Sequence, residues 1–163
     1  MFKTRLLSGI VLVIAALVLI ITGGDVLLIS TLVISYIGMF ELYRIFKIEK
    51  EPAGVAGYIA AIVYYLNLLF GFIPDMMMFV LGVLVVLMFI YVFSYPKYKT
   101  EQMLAAFFAV FYVAVMLSFV YRTRMLPMGT YTVWLIFLCS WGCDTCAYCV
   151  GMLIGKHKMA PVL

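Results

Sequence analysis

The chain has 163 residues, 68% of them hydrophobic and 11% charged, with a mean hydropathy of +1.23 and a net charge of +4. A soluble domain is about half apolar and a quarter charged, so that class is excluded. The scarcity of charge excludes disorder, and four cysteines in this length exclude a disulfide scaffold. What remains is an integral membrane protein of the all-α class, with lipid as the solvent for most of its surface. The basic residues fall in short clusters between apolar runs, a topogenic pattern, so no nucleic acid partner is expected.

Long apolar segments separated by short polar punctuation predict six transmembrane helices. They run over Leu6 to Ile21, Val26 to Phe40, Val55 to Ile73, Met76 to Phe93, Met103 to Val120, and Tyr131 to about Ile154. Gly23-Gly24-Asp25, Pro74-Asp75 and Tyr95-Pro96 supply the breakers. The first segment follows Lys3 and Arg5 as a signal peptide would, but no small-x-small cleavage site follows, so a retained helix is expected.

With the N-terminus inside, the cytoplasmic segments hold Lys3, Arg5, Arg44, Lys47, Lys50, Lys97, Lys99, Lys156 and Lys158. Only Arg122 and Arg124 then lie outside, and this asymmetry predicts a cytoplasmic N-terminus.

Among the acidic residues, Asp25, Glu49, Glu51, Asp75 and Glu101 fall in loops or at helix ends and are expected to be solvated. Glu41 precedes Arg44 by three residues, the spacing of an ion pair on a helix. Asn67, Tyr64, Tyr65, Tyr91, Tyr112 and Tyr121 are expected to bond between helices or anchor at the interface.

Asp144 differs, because it lies inside the sixth apolar segment, where an ionised carboxylate costs several kcal/mol without a partner or water. At about 100° per residue, Ser140, Asp144, Tyr148, Gly151 and Gly155 share a sector of roughly 80°. Such a stripe reads either as a helix-packing seam with a hydrogen-bonded Asp or as one wall of a polar site. Lys156, His157 and Lys158 follow, either as a topogenic cluster or as cations for an anionic phosphate ligand. Cys139, Cys143, Cys146 and Cys149 line another face of the same helix. Thiols on one straight helix cannot enclose a tetrahedral ion, so they are expected to be buried small apolar groups.

From Trp141 to Pro161 the chain reads W-x-x-D-T-x-A-Y-x-x-G-x-x-x-G-K-H-K-x-x-P. In this pattern it closely resembles the bacterial phosphatidate cytidylyltransferase (CDP-diacylglycerol synthase) family. Weaker likeness runs through Lys3-Thr4-Arg5, Glu41-Leu-Tyr-Arg44, Tyr112 and Arg124. The resemblance implies transfer of the cytidylyl group of CTP to phosphatidate, giving CDP-diacylglycerol and pyrophosphate for phospholipid synthesis.

By the same likeness Asp144 is implied as a catalytic residue and ligand of Mg²⁺. Lys156, His157 and Lys158 are implied on the substrate side, and the helical stripe adds Ser140 and Tyr148 as expected substrate-binding residues. The partners implied are CTP, phosphatidate and membrane lipids, with a homodimer as the assembly that could complete the site. The implied location is the bacterial plasma membrane, with the active site facing the cytoplasm. The family often has Gly-Arg where this chain has Gly151-Met152, and its members continue past the Pro161 region into a second acidic motif. The chain is therefore expected to be the N-terminal part of a longer enzyme and inactive alone. The competing class is a non-catalytic helix bundle or small transporter with Asp144 as a cation or proton site.

Overall fold

The computed structural model describes residues 2–155, and these form six helices with no strand among them. They are α1 (Phe2–Thr22), α2 (Gly24–Ile45), α3 (Pro52–Phe70), α4 (Met76–Phe93), α5 (Thr100–Arg124) and α6 (Gly129–Ile154). From α2 to α6 each is long and apolar enough to cross a membrane; in α1 the described apolar stretch is Gly9–Thr22. Consecutive helices pack side by side through short turns, and α5 lies at the centre against α2, α3 and α4.

The helix ends follow local chemistry. Asp75 caps α4, its carboxylate accepting from the Met77 amide at 3.0 Å. Gly71 ends α3 in the left-handed conformation, short of the expected Ile73. Asn67, expected to bond between helices, instead accepts from the Ile73 amide at 2.6 Å and holds the α3–α4 turn.

The second helix runs past Phe40 to Ile45, because Tyr43 is fully buried and extends the packing face. It closes with the Lys47 amide donating to the Arg44 carbonyl and the Ile48 amide to the Tyr43 carbonyl. That is a Schellman stop, and Lys47 takes its left-handed position with φ 56°. Ile48, with no exposed surface, is folded back under the bundle.

The core is small and polar-tipped, as expected where lipid gives apolar side chains no reason to hide. Tyr43 donates to the Ala106 carbonyl at 3.0 Å and Tyr65 to the Ala114 carbonyl at 3.3 Å. Tyr65 also meets Ser35, and Tyr64 meets Ser118, each at 2.8 Å. Tyr64 and Tyr65 thus bond between helices as expected, whereas Tyr112 is exposed. Residues Ala109–Val115 of α5 form a π-helical stretch that includes the Tyr65-bonded Ala114 and starts three residues after the Tyr43-bonded Ala106. Here α2 and α3 both approach, with Gly38 directly against Val113.

Two polar ties fix the ends. At one end Lys97 of the α4–α5 connection pairs with Glu51 of the α2–α3 connection, at 2.6 Å. At the other, Arg124 Nε donates to the Ile20 carbonyl at 3.0 Å, supplying a cation to the last turn of α1. Arg124 is one of the two basic residues expected outside, and this contact ties it to α1.

Candidate functional site

Asp144 lies on α6, whose 26 residues extend about 39 Å. The helix is buried only at its start, at Gly129 and Val133, where it meets α5 and α1. Beyond that it stands clear of the other helices. Ser140, Asp144 and Tyr148 are all exposed, Tyr148 by 70%, and they follow one another at four-residue spacing on one face. A Cβ built on Gly142 or Gly151 meets nothing within 4 Å, so the small residues of this helix are not closed against a neighbour. Gly155 leaves the stripe, turning extended and capping α6 through its amide to the Gly151 carbonyl at 3.1 Å.

The structure therefore brings Ser140, Asp144 and Tyr148 onto one open polar strip. Lys156, His157 and Lys158, the other expected substrate residues, lie outside the described residues. A Mg²⁺ ion wants six oxygen ligands, commonly one or two carboxylates with water and phosphate making up the rest. No group of three His, Cys, Asp or Glu able to hold a metal occurs among the described residues. Asp144 fits such an ion as one carboxylate among ligands drawn from elsewhere, not as a cage.

Two expectations about neighbouring groups are overturned. Cys139, Cys143, Cys146 and Cys149 are exposed rather than buried, because the length of α6 that carries them has no helix against it. Glu41 and Arg44 make no ion pair; among the described residues the single pair is Lys97–Glu51.

The loop acids are not uniformly solvated either. Glu51 accepts from Lys97 at 2.6 Å and from the Tyr98 hydroxyl at 3.0 Å. These bonds hold its carboxyl below the usual range, and the bond to Glu51 raises the Lys97 ammonium above its own. Glu49 has one carboxylate oxygen buried without a hydrogen-bond partner, and so has the Tyr58 hydroxyl. The place of Glu49 in a loop suggested solvation; the Schellman turn that tucks Ile48 inward brings Glu49 with it.

Comparison with known proteins adds the context this open strip lacks. Residues 3–163 match the profile of the Cytidylyltransferase family. A phosphatidate cytidylyltransferase of Staphylococcus aureus (strain COL) is 33% identical over 167 residues, covering 99% of this chain and 62% of that protein. Proteins of the same name from Staphylococcus epidermidis (strain ATCC 12228) and Staphylococcus saprophyticus are 30% and 29% identical, with the same coverage. The chain spans 62% of the length of these curated relatives. No solved structure matches it.

Proposed function

We propose, since this chain belongs to the Cytidylyltransferase family, that it serves phosphatidate cytidylyltransferase chemistry in a membrane. The observation that carries the reading is the open Ser140–Asp144–Tyr148 strip on α6, inside the region the family profile matches. A phosphatidate oxygen attacks the α-phosphorus of CTP, a new P–O bond forms, and the bond to the β-phosphate breaks to release pyrophosphate. Both reactants are anions, so the barrier is dominated by charge.

Asp144 serves as one ligand of a divalent ion, Mg²⁺ in this reading, which when bound neutralises phosphate charge. Ser140 and Tyr148, one helical turn to either side, offer hydroxyl donors to phosphate oxygens. Lys156, His157 and Lys158 follow α6 in the sequence, and their positive charge is of the sign that draws nucleotide. The strip's exposure supports completion of the site by further protein surface, such as a second copy in a homodimer. The positive-inside asymmetry supports a plasma-membrane protein with N-terminus, basic turns and active site on the cytoplasmic side.

The test is CDP-diacylglycerol formation from labelled CTP and phosphatidate in detergent with Mg²⁺. A form that turns over should lose at least 100-fold in rate on Asp144→Asn, with CTP binding and thermal stability retained. Unchanged turnover would remove Asp144 from the chemistry. Proton or cation uptake by the chain in vesicles, without any need for CTP, would favour the transporter reading.

A further inference from the structure

Between α2 and α3 lies a groove of about 710 Å³ that opens sideways onto lipid. Its walls are Val33, Ile37, Phe40 and Ile62, all exposed apolar side chains of the two helices. An acyl chain needs nothing more than such walls. The stretch of the groove around Tyr36 and Tyr58 is different. There the rings of Tyr36 and Tyr58 stack at 4.8 Å, and Tyr43 meets Tyr58 edge-on at 5.1 Å. Glu49 completes the lining there.

Two oxygens buried without a partner in the described structure, Glu49 Oε2 and the Tyr58 hydroxyl, belong to residues that line this groove and lie just beneath its surface. A buried polar atom left unmade costs about 1–3 kcal/mol, more for a charged one, so two in one place call for a donor. A carboxylate excludes a phosphate from the position. A divalent metal would want more oxygens than one carboxylate and a phenol supply. An ammonium suits every group present: it donates to Glu49 and Tyr58, and aromatic faces attract a cation.

Just outside, the turn carries Arg44, Lys47 and Lys50, all exposed and without an ion-pair partner among the described residues. The groove thus combines apolar walls with an acid beside aromatic rings, and a basic turn follows α2. We propose that the α2–α3 groove binds a zwitterionic phospholipid whose phosphate carries an aminoalkyl group. Its ammonium sits against Glu49 and the tyrosine rings, its phosphate at the basic turn, and one acyl chain lies along Ile37 and Ile62. This site is separate from the Asp144 strip and does not depend on the reading of that strip.

Native mass spectrometry of the detergent-purified chain tests it, with dioleoylphosphatidylethanolamine against its N-acetyl derivative, which keeps phosphate and chains but lacks the ammonium. The wild type should retain the ethanolamine lipid at least fivefold better. Glu49→Gln should bring that lipid down to the level of the N-acetyl form and leave the N-acetyl form unchanged. Tyr58→Phe, which keeps the ring, should cut the preference part way and serves if the Glu49 variant fails to fold. Ile62→Trp, remote from the polar atoms, should weaken both lipids alike.

Equal retention of both lipids by the wild type would overturn the proposal, reducing the groove to a nonspecific acyl surface. Stronger retention of the N-acetyl lipid would overturn it in favour of an anionic-lipid site at the basic turn. A preference untouched by Glu49→Gln and Tyr58→Phe, or binding untouched by Ile62→Trp, would place the lipid elsewhere.

Discussion

Lys47 holds a backbone conformation that a lysine tolerates poorly. Its φ of 56° is the price of the turn that ends α2, and glycine would take that position without the Cβ penalty. Lys47→Gly should therefore raise stability by about 0.5–1 kcal/mol, seen as a higher Tm in detergent. The opposite is expected at Gly54, whose missing Cβ leaves room for the Ile48 carbonyl. That neighbour is backbone and cannot step aside, so Gly54→Ala should cost about 1–3 kcal/mol. Gly57 faces the Tyr43 hydroxyl in the same way, and a methyl there would displace the tyrosine from the Ala106 carbonyl. These constraints were hidden in the sequence. Nothing local to Gly54 and Gly57 marks Tyr43 as the ring that lies against them.

At the scale of whole elements, the connections carry the charge chemistry. The Glu51–Lys97 pair joins two turns, and the Tyr98 hydroxyl joins them at the same carboxylate. Glu51 has a depressed pKa, so its contribution is present above the ordinary carboxylate range and is lost as pH falls through the depressed value. Lys97 has a raised one, so its contribution is present below the ordinary lysine range and is lost as pH rises through the raised value. The Tm of the chain should show a plateau between these limits, and Glu51→Gln should soften both edges of it. Both side chains reach water, so high salt should shrink the difference between wild type and variant.

The helices themselves were legible because continuous apolar runs leave the backbone no other way to satisfy its hydrogen bonds in lipid. Their ends were less so. The charges at Glu41 and Arg44 suggested that α2 stops at Phe40, yet the helix continues while one side, through Tyr43, stays packed. The π-helical stretch of α5 also left no trace in the apolar pattern, and neither did the tyrosines from α2 and α3 that bond to carbonyls beside it and within it.

For the molecule as a whole, the contrast lies between a bundle of five helices and a sixth that leaves it. The Asp144 stripe could be read from the sequence because helical periodicity alone places Ser140, Asp144 and Tyr148 together. The exposure of the cysteines could not, because burial depends on which helix comes alongside, and that information is not in the α6 residues. With all four thiols free of packing against another helix, a small membrane-permeant maleimide should label Cys139, Cys143, Cys146 and Cys149 in detergent at rates within about tenfold of one another. Strong protection of one of them relative to the others would mean that a partner surface covers it.

The tie between Arg124 and Ile20 spans 104 residues of sequence. Elongation at about 5–20 residues per second separates the synthesis of its two halves by roughly 5–20 s. Throughout that interval the first helix has entered the bilayer while its last turn still awaits a cation. The nascent protein must therefore shelter the Ile20 carbonyl by other means, at the interface or beside the insertion machinery, until the fifth helix arrives. The order in which the helices leave the ribosome is thus built into the final fold, and a ribosome stalled before Arg124 should hold a first helix far easier to extract than one stalled after it.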